Sequence, residues 1–336
     1  MRRKFIHIIF YLCCICQFQQ PANAQDPHFS QYFSSPLTFN PALTGYFDGT
    51  QRLAFTIRNQ WANIGEPYTT ATVSYDSKIL RNKIGSNDRW GLGVLALYDQ
   101  SSGGIFKNNY ISLSTAFHKG LDAEGNQSIG IGIQAGYARN SVDFNRISFS
   151  NQYTNGGFNL NIPSGETINN QTVSYADVNA GIIYNYGDEN GNLFTMGASI
   201  YHILRPRLSF FSGNNTSLQR RYGVHASANL NSGDRNYFFV SSHLMQQAGA
   251  NEVVFGAAYG LGIGETDLNL YLGIWLRVKD ACYPYIGLRS SNYQLGLSYD
   301  VTSSDLTLAK GFSGSSELSF IYFFKKENRK GIPCFF

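Results

Sequence analysis

IGIGIQAGY, residues 129–137, alternates without a break. Ile129, Ile131, Ile133, Ala135 and Tyr137 fall on one parity, and Gly130, Gly132, Gln134 and Gly136 on the other. Successive side chains of a strand point to opposite faces, so this run presents one apolar face and one small or polar face. Such a strand needs two different environments, one on each side.

The same period recurs on both sides of it. Upstream, Leu53, Phe55 and Ile57 alternate with Arg52, Ala54, Thr56 and Arg58, and then come Thr69, Ala71, Val73 and Tyr75. Trp90, Leu92, Val94, Ala96 and Tyr98 follow, then Ile111, Leu113, Thr115 and Phe117. Downstream lie Ala176 to Tyr184, Phe194 to Ile200 and Tyr222 to Leu230 on alternate positions, with Asp177, Asn179 and Asn185 on the opposite parity of the first. Further runs cover 236–246, 251–262, 266–277, 282–290, 292–300 and 316–325, the last with Leu318, Phe320, Tyr322 and Phe324 on one face. The pattern predicts fourteen strands of about ten residues, the signature of a transmembrane β-barrel.

The connections support the same reading. With both chain ends on the periplasmic side, the even connections are periplasmic turns. Gly187–Asn192, Asn231–Arg235, Gly262–Glu265 and Ser290–Asn292 are short and carry turn residues. The odd ones include the long polar stretches 139–172, 204–219 and 301–315. A secreted β-sandwich, the soluble rival, has no reason to vary loop length in phase with strand parity. The apolar faces carry no charge, as a lipid-facing surface requires, while Arg58, Asp177 and Arg221 fall on the lumenal parity. Trp61, Tyr68, Trp90, Tyr98, Tyr137 and Trp275 lie near predicted strand ends, where aromatic girdles belong.

Composition excludes other classes. Of the 336 residues only 14% are charged and 15% are aromatic, against roughly 25% charged in ordinary soluble domains. Mean hydropathy is −0.21, so no helical membrane protein is expected. Residues 1–24 read as a signal peptide: Arg2, Arg3 and Lys4, an apolar run from Phe5 to Phe18, and the small-x-small site Ala22-Asn23-Ala24. Cleavage there removes three of the 26 Lys and Arg and none of the 22 Asp and Glu, leaving a near-neutral chain with no call for nucleic acid. Cys282 and Cys334 remain, on opposite sides of the predicted membrane and therefore unpaired. No cofactor or metal is expected.

The segment QDPHFSQYFSSPLTFNPALTG, residues 25–45, is too short for a domain. Asp26 with Pro27 reads as a helix cap and start, Phe29, Tyr32 and Phe33 share a helical face, and Pro36 stops that helix. Asn40-Pro41 repeats the cap, and Gly45 ends the second piece. The expectation is a short helical segment, 25–51, seated in the periplasmic mouth of a barrel spanning 52–325, with a periplasmic tail at 326–336.

This opening also resembles a known family. Phe29-Ser30-Gln31-Tyr32, Asn40-Pro41-Ala42-Leu43-Thr44-Gly45 and the pattern Arg58, Gln60, Trp61, Pro67, Thr69 are similar to the start of PorP/SprF proteins of type IX secretion and gliding motility. The aromatic last strand and basic tail are similar too. The resemblance implies a non-catalytic outer-membrane component. It would bind and help secrete or anchor a surface protein bearing a C-terminal sorting domain, and would meet periplasmic components of that system.

Other motifs are weaker. His225 and Ser227 share a strand face within Gly223–Asn229, a stretch like that of outer-membrane phospholipase A, but they point to the lumen and lack an orienting third group. Gly91-Leu-Gly93 lies inside a strand rather than between strand and helix, so a dinucleotide loop is not indicated. Asp188–Asn192 lacks the glycine and distal glutamate of a calcium loop. His118 and His243 are lone strand residues suited to lumenal hydrogen bonding.

The expected partner-contact residues are Phe149, Tyr153, Phe158, Phe210 and Phe211 in the long loops, with Phe29, Tyr32 and Phe33 in the N-terminal segment. Arg58, Gln60, Trp61 and Pro67 are expected to hold the first hairpin, so Trp61→Ala should lower barrel abundance. The alternative function is a diffusion channel or carrier for small solutes, since fourteen strands can enclose an open lumen.

Overall fold

In the computed structural model, residues 26–324 are described, apart from 63–64, 82, 167–170, 212–215, 234 and 304–313. The expected signal peptide and the C-terminal tail with Cys334 lie outside the described residues. The alternating runs form strands β1 (Gln51–Gln60), β2 (Tyr68–Ile79), β3 (Arg89–Ser101), β4 (Phe106–Gly120) and β5 (Gln127–Val142). A hairpin of β6 (Tyr153–Thr154) and β7 (Gly157–Phe158) stands apart. Then come β8 (Thr172–Gly187), β9 (Leu193–Tyr201), β10 (Arg221–Asn231), β11 (Tyr237–Gln247), β12 (Ala250–Gly262), β13 (Asn269–Arg277), β14 (Ala281–Arg289), β15 (Tyr293–Thr302) and β16 (Gly314–Phe324).

All strands except β6 and β7 close into one antiparallel barrel of fourteen strands, each paired with its neighbour in sequence order. The seam is between β1 and β16, in register from Gln51 opposite Phe324 to Gln60 opposite Ser315. Closure leaves no unpaired edge, as a membrane-spanning sheet requires. The faces divide as the alternation predicts. On β4, Leu113 is 65% exposed on the outer face while its neighbours Ser112 and Ser114 are buried inside.

Two expectations are corrected. Trp275 is not a girdle residue: it shares the inward parity of Tyr271 and Arg277, is 1% exposed, and stacks on Tyr283. Loop length also varies less regularly than expected. The long stretches 143–171 and 202–220 lie at one end, but that end also holds the two-residue turn 248–249 and the short turn 278–280. Ala248 and Gly249 both adopt left-handed backbone, the geometry that lets two residues join twisted strands.

The glycines of the opening stretch now have a reason. Gly130 faces His118, Gly136 faces Tyr110, and Gly132 lies directly against the backbone of Pro41 and Ala42. The wall is thinned on its inner side because something fills the barrel.

Candidate functional site

Residues 26–47 occupy the lumen. The expected helix from Asp26 does not form, and Pro36 opens rather than ends a helical turn, Pro36–Phe39, flanked by 3-10 turns at Tyr32–Ser34 and Pro41–Leu43. The Asn40 cap is as read, its side chain accepting from the Ala42 amide at 2.9 Å. Nor does the segment merely seat at one mouth. Asp26 lies at the long-loop end beside Arg221 and Gln247, and Thr50 reaches the last residue of β16 at the opposite end. The plug therefore runs the height of the barrel. With so little regular structure its backbone polar groups need other partners, and wall side chains supply them.

Three clamps hold it. At the long-loop end the Asp26 amide donates to Gln247 Oε1 at 2.8 Å. Asp26 Oδ2 lies 2.6 Å from His202 Nε2 and 3.3 Å from Arg221 Nη1, and His202 Nδ1 lies 3.0 Å from Asp177. Burial opposes the charge on Asp26, yet Arg221 and His202 hold its carboxyl down to about 2. Burial likewise opposes a charged His202, yet contacts with Asp177 and Asp26 raise it to about 9. His202 thus sits as a cation between a plug carboxylate and a wall carboxylate at neutral pH.

The second clamp straddles the barrel seam. Arg58 on β1 faces Glu317 on β16 in direct register, with ion pairs to Asp300 at 2.8 Å and Glu317 at 3.2 Å. The amides of Ser30 and Gln31 both donate to the Glu317 carboxylate at 2.8 Å. Ser30 Oγ donates to Asp300 and accepts from Arg58 and Arg277. Arg277 continues to Glu252, which also lies 2.9 Å from His28 and from His243.

The third clamp is at the opposite end. Arg52 grips Asp76 with two bonds at 2.9 Å and donates to the Leu43 carbonyl, while the Gly45 amide donates to Asp76 at 2.7 Å.

Between the clamps lies an aromatic core. Phe33 packs within 5.2–6.0 Å of Trp275, Tyr285 and Phe239, and Tyr32 meets His243 and Phe39. Complete burial of Phe33 contributes roughly 1.5–3 kcal/mol. Phe29, Tyr32 and Phe33 are therefore packed within the lumen, not available for partner contact in this arrangement.

The strand histidines serve the plug. His118 meets the Thr44 carbonyl and His225 meets Asn40, each at 3.1 Å. Gly91, part of the apparent dinucleotide loop, is pressed by Thr44 and Gly45, and Gly93 lies against Leu37. Asp188 closes its own turn on Asn192.

The expected loop residues divide into two groups. Phe149, Phe210 and Phe211 gather around Phe144, a residue missed at the sequence level, at centroid distances of 5.6–6.5 Å, and so join the loops 143–171 and 202–220. Tyr153 and Phe158 form the cross-strand pair of the β6–β7 hairpin, 65% and 58% exposed. The signal that would have located this hairpin is Asn155-Gly156 at its turn.

In the first hairpin Arg58 is buried, Gln60 pairs with Tyr68 and Ser315, and Pro67 is half-buried just before β2. Trp61 adopts left-handed backbone, donates its amide to Gly314 across the seam, and sets its ring edge-on to Tyr68. Trp61→Ala is expected to remove about 1 kcal/mol of aromatic packing. The heat-shifted gel band of the folded barrel should then be weaker; normal abundance with partner binding lost would move Trp61 into an interface.

Comparison with known proteins agrees with this architecture. The family "Type IX secretion system membrane protein PorP/SprF" matches residues 22–322. No match was found among curated proteins. Among solved structures, the Ralstonia pickettii toluene transporter TbuX aligns at TM-score 0.52 with 9% identity, covering 87% of this chain and 94% of that one. A Pseudomonas aeruginosa FadL homologue aligns at 0.49 with 10% identity, covering 85% and 93%. The identities are low, and TbuX supports the barrel fold alone. The matching family is one of type IX secretion system membrane proteins. The chain belongs to the PorP/SprF family of type IX secretion system membrane proteins, and it resides in the outer membrane.

Proposed function

We propose that the protein is a non-catalytic holder in type IX secretion, binding a secreted protein with a C-terminal sorting domain at its long-loop end. The observation that carries this is the exposed pair Tyr153 and Phe158, on a hairpin that follows Phe149 of the Phe144 cluster tying the two long loops together. Exposed aromatics on a supported scaffold are favoured anchors, because little further ordering is needed when a partner covers them. Phe149, Phe210 and Phe211 act here by holding the scaffold. The opposite end, with its short turns, is the face offered to periplasmic components of the system. The filled lumen counts against the alternative of a diffusion channel.

Detergent pull-down of the native protein, with bound chains identified by mass spectrometry, tests this reading. Tyr153→Ser with Phe158→Ser should reduce recovery of the cargo by about tenfold or more, in line with loss of hot-spot anchors, at unchanged barrel abundance. Equal recovery from the double variant would place the contact elsewhere. A wild-type barrel that carries no cargo would overturn the holder reading.

A further inference from the structure

The rim of the barrel is uneven at the long-loop end. Beside the long connection 202–220, the β11–β12 turn is only residues 248–249, and an open cleft of about 400 Å³ lies between their described residues. Arg205, Gln219, Arg220, Tyr222, Gln246 and Gln247 line it, with the low turn Ala248-Gly249 as its floor edge.

Its position follows from strand parity. On β10 the outward face carries Tyr222 and then Val224, and on β11 Gln246 and then Leu244; Tyr222 and Gln246 are direct partners. Arg220 lies exposed just before β10 and lines the cleft with Tyr222. Moving inward along the wall, the outer face therefore reads arginine, tyrosine, then aliphatic. That sequence of chemistry marks the boundary between the apolar band and the lipid headgroups. The cleft thus lies at headgroup level, with Gln247 on its lumenal side.

Its charge is one-sided. Residues 202–220 include Arg205, Arg207 and Arg220 and no Asp or Glu. Arg205 donates to Gln219 Oε1 at 3.2 Å, and Arg220 donates through Nε and Nη2 to the Ile203 carbonyl. These bonds orient the two guanidinium groups and leave further N–H donors on each. No carboxylate lines the cleft among the described residues. Two oriented guanidinium groups without a counter-charge suit a phosphate, which each can engage with paired N–H donors.

We propose that this cleft binds the phosphorylated headgroup of a membrane lipid in the leaflet at the long-loop end. Arg205 and Arg220 take the phosphate, Tyr222 and Gln246 flank it, and the acyl chains lie down the outer wall over Val224 and Leu244. The cleft abuts the plug's first clamp through Gln247, and the proposal depends only on the outer-membrane location.

Native mass spectrometry of the full-length protein in non-ionic detergent tests it. The probes are phosphatidic acid, diacylglycerol with the same chains, and inorganic phosphate. Phosphatidic acid should stay bound, diacylglycerol should not, and millimolar inorganic phosphate should displace little of the lipid. Arg205→Gln with Arg220→Gln should weaken phosphatidic acid binding by about tenfold. Arg139→Gln, an exposed arginine on β5 elsewhere on the same rim, should leave it unchanged. The folded state of each variant is read from its heat-shifted gel band. Equal binding to the folded double variant would overturn the proposal, as would equal loss in Arg139→Gln, which would indicate diffuse charge attraction. Full displacement by inorganic phosphate would make this an anion site rather than a lipid site. Unchanged lipid binding with loss of a co-purifying acidic protein would assign the cleft to that protein instead.

Discussion

Replacing Gly132 by valine is expected to turn a closed barrel into a conducting one. A side chain at this position would overlap the carbonyl carbon of Pro41 and the amide of Ala42. These are backbone atoms, so no flexible group can swing aside. The strand itself should tolerate the change, since valine favours extended backbone and the outward Ile131 and Ile133 are untouched. The plug, not the wall, must give. In the native arrangement two gaps between plug and wall have volumes of about 60 and 40 Å³, each room for a few waters. Planar-bilayer recording should show no steady conductance for the native protein and a steady ohmic current for Gly132→Val. A folded variant as silent as the native protein would mean that the plug reseats. Steady conductance of the native protein would revive the channel reading.

Arg58→Ala is expected to be the most damaging single substitution. Arg58 is the cation that faces both Asp300 and Glu317 across the seam, and it also donates to Ser30 of the plug. Its removal leaves two buried carboxylates with Arg277 as the nearby cation. Breaking a buried pair from one side costs about 3–5 kcal/mol, because the remaining charge has lost its solvent as well as its partner. Here the cost falls on the first and last strands, whose pairing completes the barrel. The folded band should be nearly absent in gels of outer-membrane fractions. Arg58→Lys, which keeps the charge but loses the planar fork, should fold in intermediate yield. Normal abundance of Arg58→Ala would show that the seam closes without this cluster.

The barrel was legible because its physics is local. A wall between lipid and lumen must alternate at every strand, and Ile129–Tyr137 states that rule in nine residues. Trp275 lies near a strand end, where girdle aromatics belong, but its parity with Tyr271 and Arg277 turns it inward. Phe144 was missed because its role depends on Phe210 and Phe211 in another loop.

The plug shows where such reading stops. The stretch Gln25–Gly45 stands out by aromatic content and prolines, and Asn40 caps as expected. Its path was not readable. A segment without regular structure takes its shape from whatever satisfies its backbone, and those partners are Glu317, Gln247, Asp76 and Gln134, far away along the chain. The sequence by itself determined the strand count, the faces, the membrane and the family, all set by period-two patterning and local motifs. Only the tertiary structure decided that the segment fills the lumen from end to end, that Arg58 joins plug and seam, and that two exposed arginines share a cleft at the rim. Those facts arise where distant strands converge, and no local pattern encodes which lumenal charge will meet which amide.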